Sequence, residues 1–249
     1  MNLIIIEQSE LSDDRSCLLA DERATHILSV LKCEPGDSIE IGIVDGGIGR
    51  TEITAIEDRM VTLELGEMKT PELVRPEIDL VCALPRPQTV KKVLLTAAMM
   101  NVRRMDFIRT NRVERSFYQS PLLAPDNLRR HLIDGLAQGK HTRLPIVTIH
   151  ERFRPFFEDH IPQRDKAESV ESRLKLLPDL DATEPVSAVY DKVDALQVAI
   201  GPEGGWVPFE VELMQSLGFK PVTLGRSVLR VETAVTAALS QLELLRMQG

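Results

Sequence analysis

The chain is predicted to be an α/β protein: a mostly parallel sheet with helices on both faces, preceded by a small β-rich module. Three observations predict it. Up to residue 70 the sequence alternates apolar and polar residues between turn signals. After Pro76 short apolar runs alternate with helix-length segments of helical period. Two glycine-bearing loops, IGPEGGW and TLGRS, each follow an apolar run and precede a helix-like segment.

In chain order, DERATHILSVLK reads as one short helix. EPGDSIEIGIVDGGIGRTEITAIEDRMVTLEL reads as strands, with turns at Pro35-Gly36-Asp37 and Asp45-Gly46-Gly47. Together they suggest a compact barrel over 1–72. The stretch from Thr70 to Pro76 is a proline-bearing linker, and 73–249 forms the second domain. There, IDLVCALP is a buried strand. QTVKKVLLTAAMMNV is a helix burying Val90, Val93, Leu94, Ala97 and Ala98. MDFIRT and LPIVTI are strands around the helix PDNLRRHLIDGLAQ, which Pro125-Asp126 opens. RFRPFFEDHI is helical despite Pro155, and RLKLLP and ALQVAIG are strands. FEVELMQSLG is a helix stopped by Gly218, PVTLG is a strand, and VETAVTAALSQLELLRM is the closing helix. Its stripe of Val235, Ala238, Leu239, Leu242 and Leu245 suits either core packing or a subunit interface.

Composition narrows the function. MNLIIIEQSE lacks the basic leader of a secretory signal. No apolar run approaches the roughly 18 residues of a membrane span. Three scattered cysteines without a CxxC pair fit a reducing cytoplasm. The histidines show no metal-ligand spacing, so no metal site is expected. The net charge of −8 disfavours nucleic acid as a partner, yet its distribution is uneven. Residues 86–154 carry 14 Lys/Arg against 5 Asp/Glu, whereas residues 1–72 carry 6 against 16. A basic middle within an acidic chain suits either phosphate contact or scatter over solvated faces.

The glycine loops are the chemical signal. VAIGPEGGWVPFE places its glycines at the carboxyl end of a buried strand, where open α/β sheets bind ligands. Neither loop has a dinucleotide or Walker fingerprint, which disfavours an oxidoreductase or a P-loop enzyme. Glu232 beside Arg230 at a helix start is explicable by the helix dipole and a surface ion pair alone.

As a pair, IGPEGGW…E and LGRSVLRVETA resemble the C-terminal motifs of the RsmE family. These are S-adenosylmethionine-dependent methyltransferases of the SPOUT superfamily that methylate N3 of a uridine in small-subunit ribosomal RNA. HILSVLKCEPGDSIEIGIVDGG resembles the family's PUA-like RNA-binding barrel, and PRPQTVKKVLLTAA, VERSF and LAQGKHTRLP fall at its middle motifs. The resemblance implies a SPOUT-type parallel sheet ending in a trefoil knot, a homodimer, and ribosomal RNA or the small subunit as partner. It places the cofactor against Leu177, Ile200, Gly201, Glu203, Gly204 and Gly205, and against Leu224, Gly225, Val228, Leu229 and Arg230. It casts Arg230 as the group that orients or neutralises the base, and Glu232 as a proton acceptor or the holder of Arg230. Arg103, Arg104, Arg109, Arg112, Arg115, Lys140 and Arg143 become candidates for RNA phosphates.

Several positions depart from the family pattern. Ser227 stands where the first arginine of L-G-x-R-[IV]-L-R is usual, with Arg226 one residue earlier. LLTAAMMNV lacks the K-x-x-E-L-G signature, and His141 replaces an arginine. Two alternatives therefore stay open: a SPOUT enzyme with another RNA target, and a non-catalytic RNA-binding paralogue.

Overall fold

The computed structural model describes residues 2–191 and 193–248. It divides into two compact units: residues 1–73 with 136–144, and residues 74–135 with 145–249.

The first unit is a five-stranded sheet in the order β1-β3-β4-β5-β2. Its strands are β1 (Ile4–Ile6), β2 (Ser16–Leu19), β3 (Ser38–Ile43), β4 (Ile48–Glu57) and β5 (Met60–Lys69). Burial alternates along β4 and β5, as a sheet with one wet face requires. Asp58 and Arg59 join these two strands, both at positive φ, the tight mirror-image turn that matches strand twist. The dry face packs Ile6, Leu19, Ile41, Ile53 and Leu63 against Ile27. Ile27 follows helix α1 (Glu22–His26), whose N-terminus Asp21 caps by accepting from the Arg23 N–H at 2.9 Å. Segment 136–144 belongs to this unit: Thr142 donates its hydroxyl to the Gly46 carbonyl at 2.7 Å.

The second unit holds six parallel strands in the order β11-β9-β10-β6-β7-β8. They are β6 (Glu77–Ala83), β7 (Arg104–Ile108), β8 (Ile146–His150), β9 (Arg173–Pro178), β10 (Ala195–Ile200) and β11 (Phe219–Val222). The helices are α2 (Pro87–Met99), α3 (Pro125–Gly139, whose residues 136–139 fall in the first unit), α4 (Phe153–Pro155), α5 (Ile161–Ala167), α6 (Val186–Val189), α7 (Pro208–Ser216) and α8 (Val231–Gln248). A π-helical turn, Phe156–His160, joins α4 to α5. Pro155 is tolerated because it sits in the first turn, where the N–H that proline lacks would have no helical partner. The apolar stripe of α2 is buried as its spacing predicts. The stripe of α8 is also core, burying Val235, Ala238, Leu239 and Leu242 against β10 and α2. The last strand begins two residues before the expected PVTLG and ends at Val222, which frees Thr223 to Gly225 as a loop.

One sheet face is divided along the strands. Lys175, Gln197, Asp79 and Arg104 stand side by side in register on β9, β10, β6 and β7. Two residues further along, the same face carries Leu177, Ala199 and Val81, packed on Phe156, Phe157, Met214 and Phe219, while Asp106, beside Val81 on β7, extends the polar region along that edge. The polar half is an ion cage. Asp79 accepts from Arg103 at 2.8 and 2.7 Å and from Arg173 at 2.8 Å. Asp106 accepts from Arg164 at 2.6 Å and meets His150 Nε2 at 2.9 Å.

Burial pushes the Asp106 carboxyl up, but His150 and the Arg164 guanidinium outweigh it and hold the carboxyl below its ordinary range. A depressed folded-state value stabilises fully above the unfolded aspartate value, near 3.9, and the gain is lost as pH falls through the folded value. Asp106→Asn is therefore expected to lower the urea midpoint at neutral pH and to flatten its fall below about pH 4. Equal slopes for the two proteins in that range would refute this assignment.

Candidate active site

Four adjacent strands, β11, β9, β10 and β6, end at one cleft of about 910 Å³. The strand order explains the position: successive connections run outward from β6 to β8, then return to β9–β11 on its other side. Ligand crevices of open α/β sheets form where connections reverse in this way, at the carboxyl ends of the strands.

The loop after β10 supplies Gly201 to Trp206, and the loop after β11 supplies Thr223 to Arg230, except Arg226. The end of β9 adds Pro178 to Asp181; Arg86, Gln88, Thr89 and Lys92 come from the start of α2. Gly225 lies at φ +138°, and a Cβ there would meet nothing within 4 Å. Its N–H donates to the Thr223 hydroxyl at 3.1 Å, and Gln241 on α8 donates to the Leu224 carbonyl, also at 3.1 Å. At Gly201 a Cβ would lie 3.0 Å from Trp206 Nε1, an indole nitrogen that is buried and unpartnered. The cleft thus offers bare backbone, apolar Ile200, Leu224 and Leu229, and an unused indole donor. That donor set fits a nucleoside-bearing cofactor held by main-chain groups.

Ten of the eleven residues expected around a cofactor line this cleft. The exception is Leu177, whose side chain is fully buried in the core beneath; Pro178, next along, forms that wall. Arg230 is exposed and makes no ion pair among the described residues. Glu232 is paired, but with Lys92 rather than Arg230: Lys92 Nζ donates to its Oε1 at 3.0 Å. The Glu232 carboxyl is held below the usual range by its own backbone N–H, then by Lys92, with Arg230 adding a smaller effect. It is therefore ionised at neutral pH, with Lys92 rather than Arg230 as its partner.

The expected RNA-contacting cations disperse. Arg103 is committed to Asp79 and Glu168 in the ion cage and is unavailable to phosphates. Arg104 is half-buried in the same layer, its Nε enclosed and unpartnered. Arg109 is half-buried beside β8. Arg112 lies in the cleft, its guanidinium donating to the Gly204 carbonyl. Arg115 is exposed on a 3₁₀ turn. In the first unit, Lys140 pairs with Glu40 at 3.0 Å and Arg143 is half-buried and partnered.

Lys92 carries no signal in the sequence, and Glu210, the last residue of VAIGPEGGWVPFE, stands in that motif without an assigned role. Glu210 is only 2% exposed and accepts from the Asn111 N–H at 2.7 Å and the Val207 N–H at 3.0 Å. One carboxylate thereby ties the loop after β7 to the glycine loop after β10. Hydrogen bonds to a charged group contribute about 1.5–3 kcal/mol each. Glu210→Ala is expected to lower stability by at least about 2 kcal/mol on that scale and to weaken any ligand of the glycine loop. Urea denaturation and calorimetry check both effects, and an unchanged urea midpoint would contradict the first.

Comparison with known proteins agrees with this geometry. An RNA methyltransferase domain family matches residues 72–243, and an RNA methyltransferase PUA domain family matches residues 19–66. Ribosomal RNA small subunit methyltransferase E of Treponema pallidum is 30% identical over 96% of this chain and 89% of its own length. Ribosomal RNA small subunit methyltransferase E 1 of Borreliella burgdorferi is 24% identical over 96% and 95%. The fold superposes with a TM-score of 0.77 on the ribosomal RNA small subunit methyltransferase E of Neisseria gonorrhoeae, a structure bound to S-adenosyl methionine. That pair is 21% identical and covers 98% of both chains. The match over most of the chain, and over nearly the whole length of its relatives, places this protein in the RNA methyltransferase family of the ribosomal RNA small subunit methyltransferase E proteins.

Proposed function

We propose that the chain is an S-adenosylmethionine-dependent methyltransferase acting on N3 of a uridine in small-subunit ribosomal RNA. The observation that carries this reading is the glycine-lined cleft at four strand ends, in a chain of this family. Gly201 to Gly205, Leu224, Gly225 and Leu229 hold the cofactor mainly through backbone, with Ile200, Val228 and Arg230 completing the enclosure. When bound, the cofactor supplies an electrophilic methyl group on a positively charged sulfur. The residues of the chain orient the base and offset its charge: Arg230, exposed in the cleft and without an ion pair among the described residues, is the group assigned to this role. Positioning of the two reactants supplies a large share of the rate enhancement.

A trefoil knot belongs to this reading. Its support is the insertion of β10 between β9 and β6, with the loops 201–207 and 223–230 side by side on one cleft. A homodimer belongs to it as well: Val228 lines the cleft yet is 78% exposed, as is apolar Met247 at 79% on the closing helix. Three free cysteines support a reducing, cytoplasmic setting.

Purified protein, small ribosomal subunits lacking the modification and methyl-labelled cofactor form the test. Label recovered as 3-methyluridine is the expected result. Label in another nucleoside would point to a different target. Cofactor binding without transfer to any RNA would point to a non-catalytic paralogue.

A further inference from the structure

The cleft carries charges of both signs. Asp179 and Asp181 stand beyond the end of β9, while Arg86 immediately precedes α2 and Lys92 stands on it, α2 following β6 two strands away. Lys92 is tethered rather than free. Its partner Glu232 sits in the first turn of α8, where the helix N-terminus favours a carboxylate. Lys92 is nonetheless 60% exposed, and an ammonium has three donors, so two remain for a ligand in the cleft.

The charged groups around Lys92 are few. Glu232 faces it from α8, and Arg230 lies just ahead of that helix. Arg86 lies at the start of α2, where its backbone N–H meets Glu203 at 3.4 Å. Arg112 is engaged by the Gly204 carbonyl. Among the described residues no histidine lines the cleft, and Glu232, the carboxylate paired with Lys92, is the one nearest it.

The chemistry makes a demand here. A uracil N3–H keeps its proton at neutral pH, and the nucleophile is the anion, whose charge spreads onto both ring carbonyl oxygens. A positive charge within about 4–6 Å lowers the pKa of such an acid by about 1–3 units. We infer that Lys92, anchored by Glu232, is a second catalytic cation beside Arg230 that stabilises the ionised uracil ring, so that N3 gives its proton to solvent and no protein base is needed. The inference rests on the methyltransferase reading above. In the balanced step the N3–H bond breaks and the proton goes to water. The N3 electron pair forms the N–CH₃ bond, the C–S bond breaks, and its electron pair stays on sulfur. Glu232 acts through Lys92 and is a positioning residue.

The test separates ionisation from turnover. An RNA oligonucleotide spanning the nucleotide labelled in the assay above is bound with adenosylhomocysteine. Its uracil ionisation is then followed by ultraviolet difference titration. In the wild-type complex the ring is expected to ionise about 1–3 pH units below the free oligonucleotide. Lys92→Met should remove most of that shift, leaving the part that Arg230 supplies, and Lys92→Arg should keep most of it. In single turnover, Lys92→Met should be about 10- to 1000-fold slower at neutral pH and recover as pH rises, the kinetic image of the same shift. Cofactor affinity should stay within about threefold of wild type, since main-chain groups hold the cofactor. Should Lys92→Met fold poorly, Lys92→Gln replaces it. Identical titrations for wild type and variant, or a rate loss that high pH does not restore, would overturn the inference. Absence of any wild-type methyl transfer would instead overturn the function on which it rests.

Discussion

Gly201→Val is expected to leave the fold intact and to weaken adenosylmethionine binding by about 100-fold or more, close to 3 kcal/mol. Gly201 is the first residue beyond β10 and has no positive φ, so its backbone accepts a side chain. The space does not. Its Cβ would sit 3.0, 3.2 and 3.3 Å from three atoms of the Trp206 indole, and the valine methyls add to the crowding. Either the indole swings away or the methyls fill the cleft, and each removes the cradle. Gly225 makes a useful contrast, because it has open space but φ +138°. There a side chain acts through backbone strain of about 1–3 kcal/mol, and the loop itself moves. Calorimetric titration with a thermal melt decides the matter. Normal melting without binding heat is expected for Gly201→Val, and wild-type affinity would show that the cofactor lies elsewhere.

Asp79→Ala is expected to cost about 3–5 kcal/mol of stability. Asp79 has no exposed surface and holds two arginines at once, Arg103 and Arg173, with Arg164 at 3.7 Å. Asp165 and Glu168 keep partial contact with Arg173 and Arg103 but lie at the edge of the cage. Removing the central carboxylate leaves positive charge facing the sheet without its counter-charge, the costly way to break a buried pair. Domains are typically stable by only about 5–15 kcal/mol, so a large part of the reserve would go. A urea midpoint lowered in proportion is the expected readout. A loss below about 1 kcal/mol, the scale of an exposed ion pair, would mean that water reaches the cage.

The residues of this chain differ in what their local sequence discloses. Val90, Val93, Leu94, Ala97 and Ala98 are legible because helical period alone decides which face they share. The parallel strands are legible because both faces are covered, which makes β6 and β10 near-continuous apolar runs. The cleft loops are legible because glycines after buried strands have few structural reasons to recur. Arg103 was misplaced by charge counting: it lies in a basic stretch, but its partners are 24 and 65 residues away. Arg112 bonds across 92 residues and Asn111 meets Glu210 across 99. Lys92 looks like any solvated helix lysine until Glu232, 140 residues on, is brought beside it. The Asp58-Arg59 turn carries no glycine or asparagine, so its positive φ values leave no mark in composition. Local periodicity thus discloses elements, whereas the ion pairs that tune the site are long-range and appear only once the sheet order is known.

The most direct test of the central claim is mass-spectrometric nucleoside analysis of small-subunit ribosomal RNA from cells with and without this chain. We expect 3-methyluridine to disappear without it, to return with the intact protein, and not to return with Gly201→Val. An unchanged level of 3-methyluridine in cells lacking the chain would contradict it.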